Sequence, residues 1–306
     1  MQFIANGPDV PLNVIKAHEA GELVLICGAG ISVPAGLPLF KGLVEKVRDR
    51  LGAQFDDIEQ EEFNKMNYDR VLGLLEREEQ GRFSPAQVRH AVRKELTPPS
   101  NPDLETHKAI LDLVRNRTGK LHLVTTNFDL LFEMADRMVR IDPAPLLPVP
   151  KPHKWDSLVY LHGRLDETND PDGQHLVLTS SDFGVAYLME RWASRFVSEL
   201  FRHFHVLFIG YSVEDPVMRY LMDALAAERR TGARFKEAYA LTAYGGTRTE
   251  EEIRNQWEAK NIIPILYDDA NYHVALHNTL REWAGIWRGG LDSKLIEESS
   301  KSRTIL

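Results

Sequence analysis

A single cysteine, Cys27, is the only thiol in this 306-residue chain. No disulfide can form within the chain, and no metal site can be assembled from several cysteines. Long apolar runs are missing as well. Nothing approaches the ~18 consecutive apolar residues of a membrane-spanning helix, and residues 1–22 show neither a basic opening nor an apolar stretch of signal-peptide length. Positive charge is scarce, with 37 basic against 45 acidic residues and a formal net charge of −8. That balance argues against direct, non-specific binding to nucleic acid. Internal repeats and low-complexity tracts are absent. These absences predict a cytoplasmic protein with no membrane and no direct nucleic-acid partner. What is present, 43% hydrophobic and 27% charged residues, suffices for a sizeable core at this length.

Several short segments are apolar on both faces and read as buried parallel strands: 23–27, 121–125, 158–161, 205–209, 238–241 and 262–267. A further short run, 176–178, reads as an edge strand. Helical patterns or polar loops separate most of them, which predicts an α/β fold, a Rossmann-like parallel sheet with helices on both faces. Between the first two strands, about 55–118 holds no strand signal and reads as a helical insertion, clearest at 67–80 and 85–95. Prolines 98, 99 and 102 then break the chain before a helix at about 104–116. Five prolines between 142 and 154 predict a loop. One domain is expected over 1–290, followed by a polar tail at 291–306.

Four motifs fall at strand ends, where ligands sit in such sheets. The first strand runs into Gly28-Ala29-Gly30-Ile31-Ser32. Glycines there allow backbone N–H groups to approach a pyrophosphate, or serve only a tight strand-to-helix turn. The third glycine of the dehydrogenase fingerprint is missing, because Val33 holds its place. No acidic residue closes a second strand about 20 residues on. The second motif, Thr125-Thr126-Asn127-Phe128-Asp129, is also compatible with an ordinary Asx turn. The third, Tyr160-Leu161-His162-Gly163, puts an imidazole of ordinary pKa near 6.5 at the rim. In the fourth, Phe208 to Pro216, Gly210 and Ser212 follow a strand, and Ser212 or Asp215 can cap the next helix. Asp182, after the 176–178 run, reads as a helix cap.

Taken in order, these segments resemble the sirtuin signatures. Residues 28–42 align without a gap to Gly-Ala-Gly-x-Ser-x-x-Ser-Gly-Ile-Pro-Asp-Phe-Arg-Gly. The departures are Ala35 for Ser, Leu37 for Ile, Leu39 for Asp and Lys41 for Arg. Thr125 to Asp129 is similar to Thr-Gln-Asn-Ile-Asp, Leu161-His162-Gly163 to the histidine motif, and Gly210-Tyr211-Ser212 to the Gly-x-Ser loop. The four-cysteine zinc ribbon of deacylating sirtuins has no counterpart, since 163–209 contains no cysteine. With its long helical insertion, the chain looks like the zinc-free, sirtuin-like NAD+ hydrolases of bacterial anti-phage systems.

The resemblance implies NAD+ as substrate and no metal. It assigns Gly28, Ala29, Gly30, Ser32, Phe40, Asp129, Gly210 and Ser212 to binding. Asn127 is implied to orient the ribose and a water, Asp129 to meet the nicotinamide carboxamide, and His162 to act as general base or water-positioning group. It also implies self-assembly into a homo-oligomer. Because a freely active NAD+ hydrolase would kill its host, control by a sensor or activator protein is expected. The alternatives are a non-catalytic NAD+ or ADP-ribose sensor, a zinc-free deacylase or ADP-ribosyl transferase, and, disfavoured by Val33, a conventional dehydrogenase.

Overall fold

The computed structural model describes residues 1–289 apart from 78, 79, 81, 231, 247 and 270–272. The tail expected at 291–306 lies outside the described residues. One sheet contains β1 (Leu23–Cys27), β2 (His122–Thr125), β3 (Ile141–Pro143), β4 (Ser157–Tyr160), β5 (His205–Ile209), β6 (Ala238–Tyr244) and β7 (Ile263–Asp268). All pairings are parallel, in the order β3-β4-β2-β1-β5-β6-β7. Without the edge strand β3, this is the third-second-first-fourth-fifth-sixth order of doubly wound dinucleotide folds. The order reverses between β1 and β5, which opens a crevice at their carboxyl ends. The expected Rossmann-type parallel sheet is thus present.

The helices, in chain order, are α1 (Leu12–Glu19), α2 (Phe40–Leu51), α3 (Asp57–Asn64), α4 (Tyr68–Leu75), α5 (Pro85–Glu95), α6 (Glu105–Val114), α7 (Leu131–Ala135), α8 (Ser180–Phe183), α9 (Trp192–His203), α10 (Pro216–Arg230), α11 (Glu250–Glu258) and α12 (Val274–Arg288). Strand β1 shows why both faces must be covered. Leu23, Leu25 and Cys27 join a core with residues of α1, α6 and α12. Val24 and Ile26, facing the other way, join a core with residues of α9, α10 and α11. The alternation follows from the two-residue period of a strand, and both sides are apolar because both are packed.

A third core lies in the helical insertion. Leu43, Val44 and Val47 of α2 pack with Val71, Leu72 and Leu75 of α4 and with Val88, Ala91 and Val92 of α5. Local sequence sets its boundaries. Asp56 and Glu59 form a capping box that starts α3, and Ser84 with Gln87, followed by Pro85, does the same for α5. Gly52, at φ 63°, ends α2. This core also takes in Leu165, Leu176 and Leu178 from the chain after β4. The insertion is therefore tied to the segment that follows the histidine motif.

Three expectations need correction. Residues 176–178 do not form a strand: Val177 N–H donates to the His162 carbonyl at 2.9 Å, but Leu176 and Leu178 turn into the insertion core instead of extending a ladder. The proline-rich stretch is not wholly loop, because Ile141–Pro143 adds an edge strand beside β4. Pro143 is tolerated at its end, where a missing N–H costs no ladder bond. Helix α4 stops at Leu75 rather than continuing to 80.

Candidate functional site

Turns after β1 and β5 meet at the switch point, and the glycines there are explained by how closely the two backbones approach. A Cβ on Gly30 would lie 2.8 Å from the Gly210 Cα, and one on Gly28 would lie 2.8 Å from the Tyr211 ring. Gly210 itself adopts φ 77°. The amides of Gly28 and Gly30 donate to the carbonyls of Ile209 and Gly210 at 2.9 and 3.0 Å, so neither is free for an anion. Ala29 N–H has no acceptor among the described residues. Tyr211 fastens the three central strand ends: its hydroxyl donates to the Cys27 carbonyl at 3.1 Å and lies 2.6 Å from the Thr126 hydroxyl.

The β2 turn brings a polar chain against this glycine turn. Asn127 Nδ2 donates to the Gly28 carbonyl and to Ser32 Oγ, both at 3.2 Å. Ser32 Oγ in turn donates to Asp129 Oδ2 at 2.9 Å, and Leu131 N–H donates to Asp129 Oδ1 at 3.1 Å. Asn127 Oδ1 has no donor among the described residues. Burial disfavours the charged form of Asp129 and pushes its pKa up to about 6, against the pull of these hydrogen bonds.

His162 follows β4 and is 1% exposed. Its Nε2 lies 2.9 Å from the Tyr187 hydroxyl, and the Phe183 ring meets it edge-on at 5.0 Å. Desolvation pushes the imidazole down to about 3 rather than leaving it near 6.5. It is a neutral group at physiological pH and a weaker base than its residue type predicts.

Two adjoining cavities run along the crevice. The inner one is bordered by Ala29, Ser32, Phe40, Asn127, Asp129 and His162. Apolar walls come from Leu37, Leu43, Leu96, Val177, Phe183 and Val217. The outer one is bordered by Ala29, Gly30, Phe40, Gly210 and Ser212, and reaches Thr242 and Tyr267 near the ends of β6 and β7. Gly28 borders neither cavity and enters through its carbonyl, which holds Asn127. Nine of the ten residues singled out from the sequence therefore border one contiguous crevice, and Gly28 stands behind it. Among the described residues, no group of three or more His, Cys, Asp or Glu is arranged to hold a metal.

Asp215 borders both cavities and was anticipated only as a cap. It is one: Val217 N–H donates to its Oδ1 at 2.9 Å, and burial pushes its carboxyl up to about 6. Asp182 likewise caps α8 with Thr179. Tyr187, Tyr211 and Phe183 carried no assignment. Tyr187 lies in a π-helical turn, Gly184–Met189, with no motif around it to draw attention.

Residues 121–265 match the family model of the SIR2-like domain. An uncharacterized protein of Sinorhizobium fredii (strain NBRC 101917 / NGR234), y4cA, is 35% identical over 272 residues. That alignment takes in 86% of this chain but only 22% of y4cA, so the chain spans about a fifth of the length of this curated relative. Among solved structures, one from work on the mechanism and regulation of Sir2 enzymes aligns over 92% of this chain and 100% of its own, with TM-score 0.44 and 13% identity. A Sir2 homologue–NAD complex aligns over 94% and 98%, with TM-score 0.43 and 19% identity.

Proposed function

We propose that the chain binds NAD+ along the two adjoining cavities and hydrolyses it to nicotinamide and ADP-ribose. The observation that carries this reading is the convergence of Ser32, Asn127, Asp129 and His162, from three strand ends, on one largely apolar cavity. Nicotinamide is a cationic leaving group that departs neutral, so no acid has to protonate it. The reaction needs a dry pocket around the ribose, polar groups facing an oxocarbenium-like centre, and one water held on the opposite face. Leu37, Leu43, Leu96 and Val177 supply the dry walls. Asn127, with Oδ1 uncommitted, orients the water; as its oxygen bonds to the ribose carbon and the bond to nicotinamide breaks, one proton of that water is released to solvent. Asp129, ionised above about pH 6, accepts from the carboxamide N–H. His162 remains uncharged and fixes geometry at the reacting end. The outer cavity takes the adenosine half, with Ala29 N–H and the start of α10 facing the pyrophosphate.

In this reading the enzyme depletes NAD+ as an effector of bacterial antiviral defence and works without metal. Unchecked, such an activity would kill its own cell, so control by self-assembly or by a sensor or activator partner belongs to the proposal. A second reading, an NAD+ or ADP-ribose sensor that leaves its ligand intact, is favoured by one observation: His162 is only 1% exposed and its Nε2 is already engaged by the Tyr187 hydroxyl.

Nicotinamide release and dinucleotide binding, measured side by side, separate the readings. Asn127→Ala and His162→Ala are each expected to cut release by roughly 10²–10³-fold, the usual cost of losing one preorganised hydrogen-bonding group, while changing affinity far less. The double variant should be scarcely worse than either single one, because both act on one water. Near-normal release from His162→Ala would overturn its assignment. A wild-type protein that binds NAD+ but releases no nicotinamide, at any concentration or with candidate partners, is a sensor. Release that requires an acylated peptide would identify a deacylase.

A further inference from the structure

The inner cavity leaves one question of chemistry open: which hydrogen-bonding face His162 presents to it. The imidazole has two nitrogens. Nε2 is 2.9 Å from the Tyr187 hydroxyl, and Tyr187 borders neither cavity. Nδ1 has no hydrogen-bond partner among the described residues, yet it is not one of the buried polar atoms sealed without a partner. His162 itself borders the inner cavity. Nδ1 is therefore the nitrogen left for a ligand or a water.

Which nitrogen carries the proton follows from the hydroxyl. If Nε2 were protonated, it would donate to the Tyr187 oxygen, and the hydroxyl hydrogen would need another acceptor. None exists among the described residues around Tyr187, which is 4% exposed. A buried donor left without an acceptor is costly. If Nδ1 is protonated instead, the hydroxyl donates to the Nε2 lone pair, and the Nδ1 hydrogen is satisfied from the cavity. The second arrangement leaves nothing unpaired. The hydrogen bond at one ring nitrogen thus sets the state of the other.

The surroundings hold Tyr187 in place. Its ring stacks on Phe183 at 5.9 Å, Phe183 stacks on Tyr220 of α10 at 4.2 Å, and Tyr187 and Tyr220 lie 6.0 Å apart. The Tyr220 hydroxyl donates to Asp69 Oδ2 at 2.8 Å, and Arg219 stands 3.5 Å from Asp69 Oδ1. The π-helical turn that carries Tyr187 is a backbone form concentrated at functional sites. The nearest charged groups on this route, Asp69 and Arg219, are thus separated from His162 by the Tyr220 and Tyr187 rings. Desolvation alone accounts for the lowered basicity of the imidazole.

We propose that Tyr187 is a positioning residue for His162: its hydroxyl donates to Nε2, fixes the proton on Nδ1, and makes His162 a hydrogen-bond donor to the cavity rather than a base. The role rests on the hydrolase reading, in which the Nδ1 hydrogen holds the oxygen of the attacking water or of the ribose. Tyr187→Phe keeps the ring and its stacking and removes only the hydroxyl.

Two measurements test it. Nitrogen-15 NMR of the His162 imidazole in the unliganded protein at neutral pH should show the Nδ1-protonated tautomer in wild type, and a mixture or the Nε2-protonated form in Tyr187→Phe. In nicotinamide release, Tyr187→Phe should lower kcat by about tenfold or more with KM changed less than about threefold, as expected when an interaction made in the transition state is lost. A wild-type imidazole protonated on Nε2, or a Tyr187→Phe variant with unchanged tautomer, would overturn the proposal. So would an active wild type whose Tyr187→Phe variant keeps its kcat. If wild type binds NAD+ without cleaving it, the hydrolase reading fails, and the NMR result alone decides what Tyr187 does.

Discussion

Gly30 and Gly210 show how one residue type can satisfy two demands at once. The Gly-x-Gly turn suggests close approach of a phosphate, but its immediate cause here is close approach of another backbone. Gly30→Ala should therefore destabilise the protein in the absence of any ligand, by about 1–3 kcal/mol, because the Gly210 backbone cannot yield as a side chain would. Gly184→Ala is the matched control, since a Cβ there meets nothing within 4 Å. Urea unfolding of the two variants without NAD+ checks the contrast. Equal stability of Gly30→Ala and wild type would mean that the two turns separate easily and that packing does not explain the glycine. At this scale the sequence was informative where chemistry and position coincide. Asn127, Asp129 and His162 each follow a strand whose end is visible from its apolar run. Tyr187 was invisible, because its only distinguishing feature is a hydroxyl brought to His162 by a turn of irregular pitch.

Among the elements, strands buried on both faces were readable almost to the residue, since β1 and β5 have no polar side chain to blur their apolar runs apart from His205 at the start of β5. The short edge strand β3 was not readable. Its pairing with β4 depends on that neighbour and on the Ser157 hydroxyl donating to Asp142 at 2.5 Å, not on any apolar pattern of its own. The insertion was readable as helices, but its purpose was not. Arg89 of α5 supplies part of that purpose. It donates to both Asp182 carboxylate oxygens at 3.0 Å and to the carbonyls of Gly173 and Leu176 at 2.6 and 3.1 Å. Through these bonds the insertion grips the segment that roofs His162. Arg89→Met should cost about 3–5 kcal/mol, the usual result of removing one partner from a buried pair. It should also raise amide exchange across 173–183 before the sheet strands respond. Protection of that segment equal to wild type would show that the apolar contacts of Leu176 and Leu178 hold it unaided.

The whole molecule sets histidines against carboxyls. His18, His107, His162 and His277 are buried and pushed down to about 4, 4, 3 and 4 by desolvation. Unfolding lets each bind a proton below about pH 6.5, so the stability each contributes is present above that pH and is lost as pH falls towards its folded value. Glu76, Asp129 and Asp215 act in the opposite sense. Burial pushes them up to about 7, 6 and 6, so their contribution is present below about pH 4 and is lost as pH rises through those values. His122 and His205 are lowered as well and join the first group. Near pH 5.5 the unfolded chain therefore holds more protons than the folded one, and stability rises with pH between about 5 and 6.5. Glu76→Gln isolates one opposing group. Folded Glu76 is largely uncharged at pH 5.5, so the amide resembles the species it replaces, while the proton excess on the folded side drops by one. The dependence of unfolding free energy on pH should then steepen by about 1.4 kcal/mol per pH unit. Urea titrations of wild type and Glu76→Gln at several pH values across this range read the two slopes directly. Parallel slopes would mean that Arg89, 3.4 Å away, keeps Glu76 ionised in the folded protein and that burial is not the dominant influence on this carboxyl.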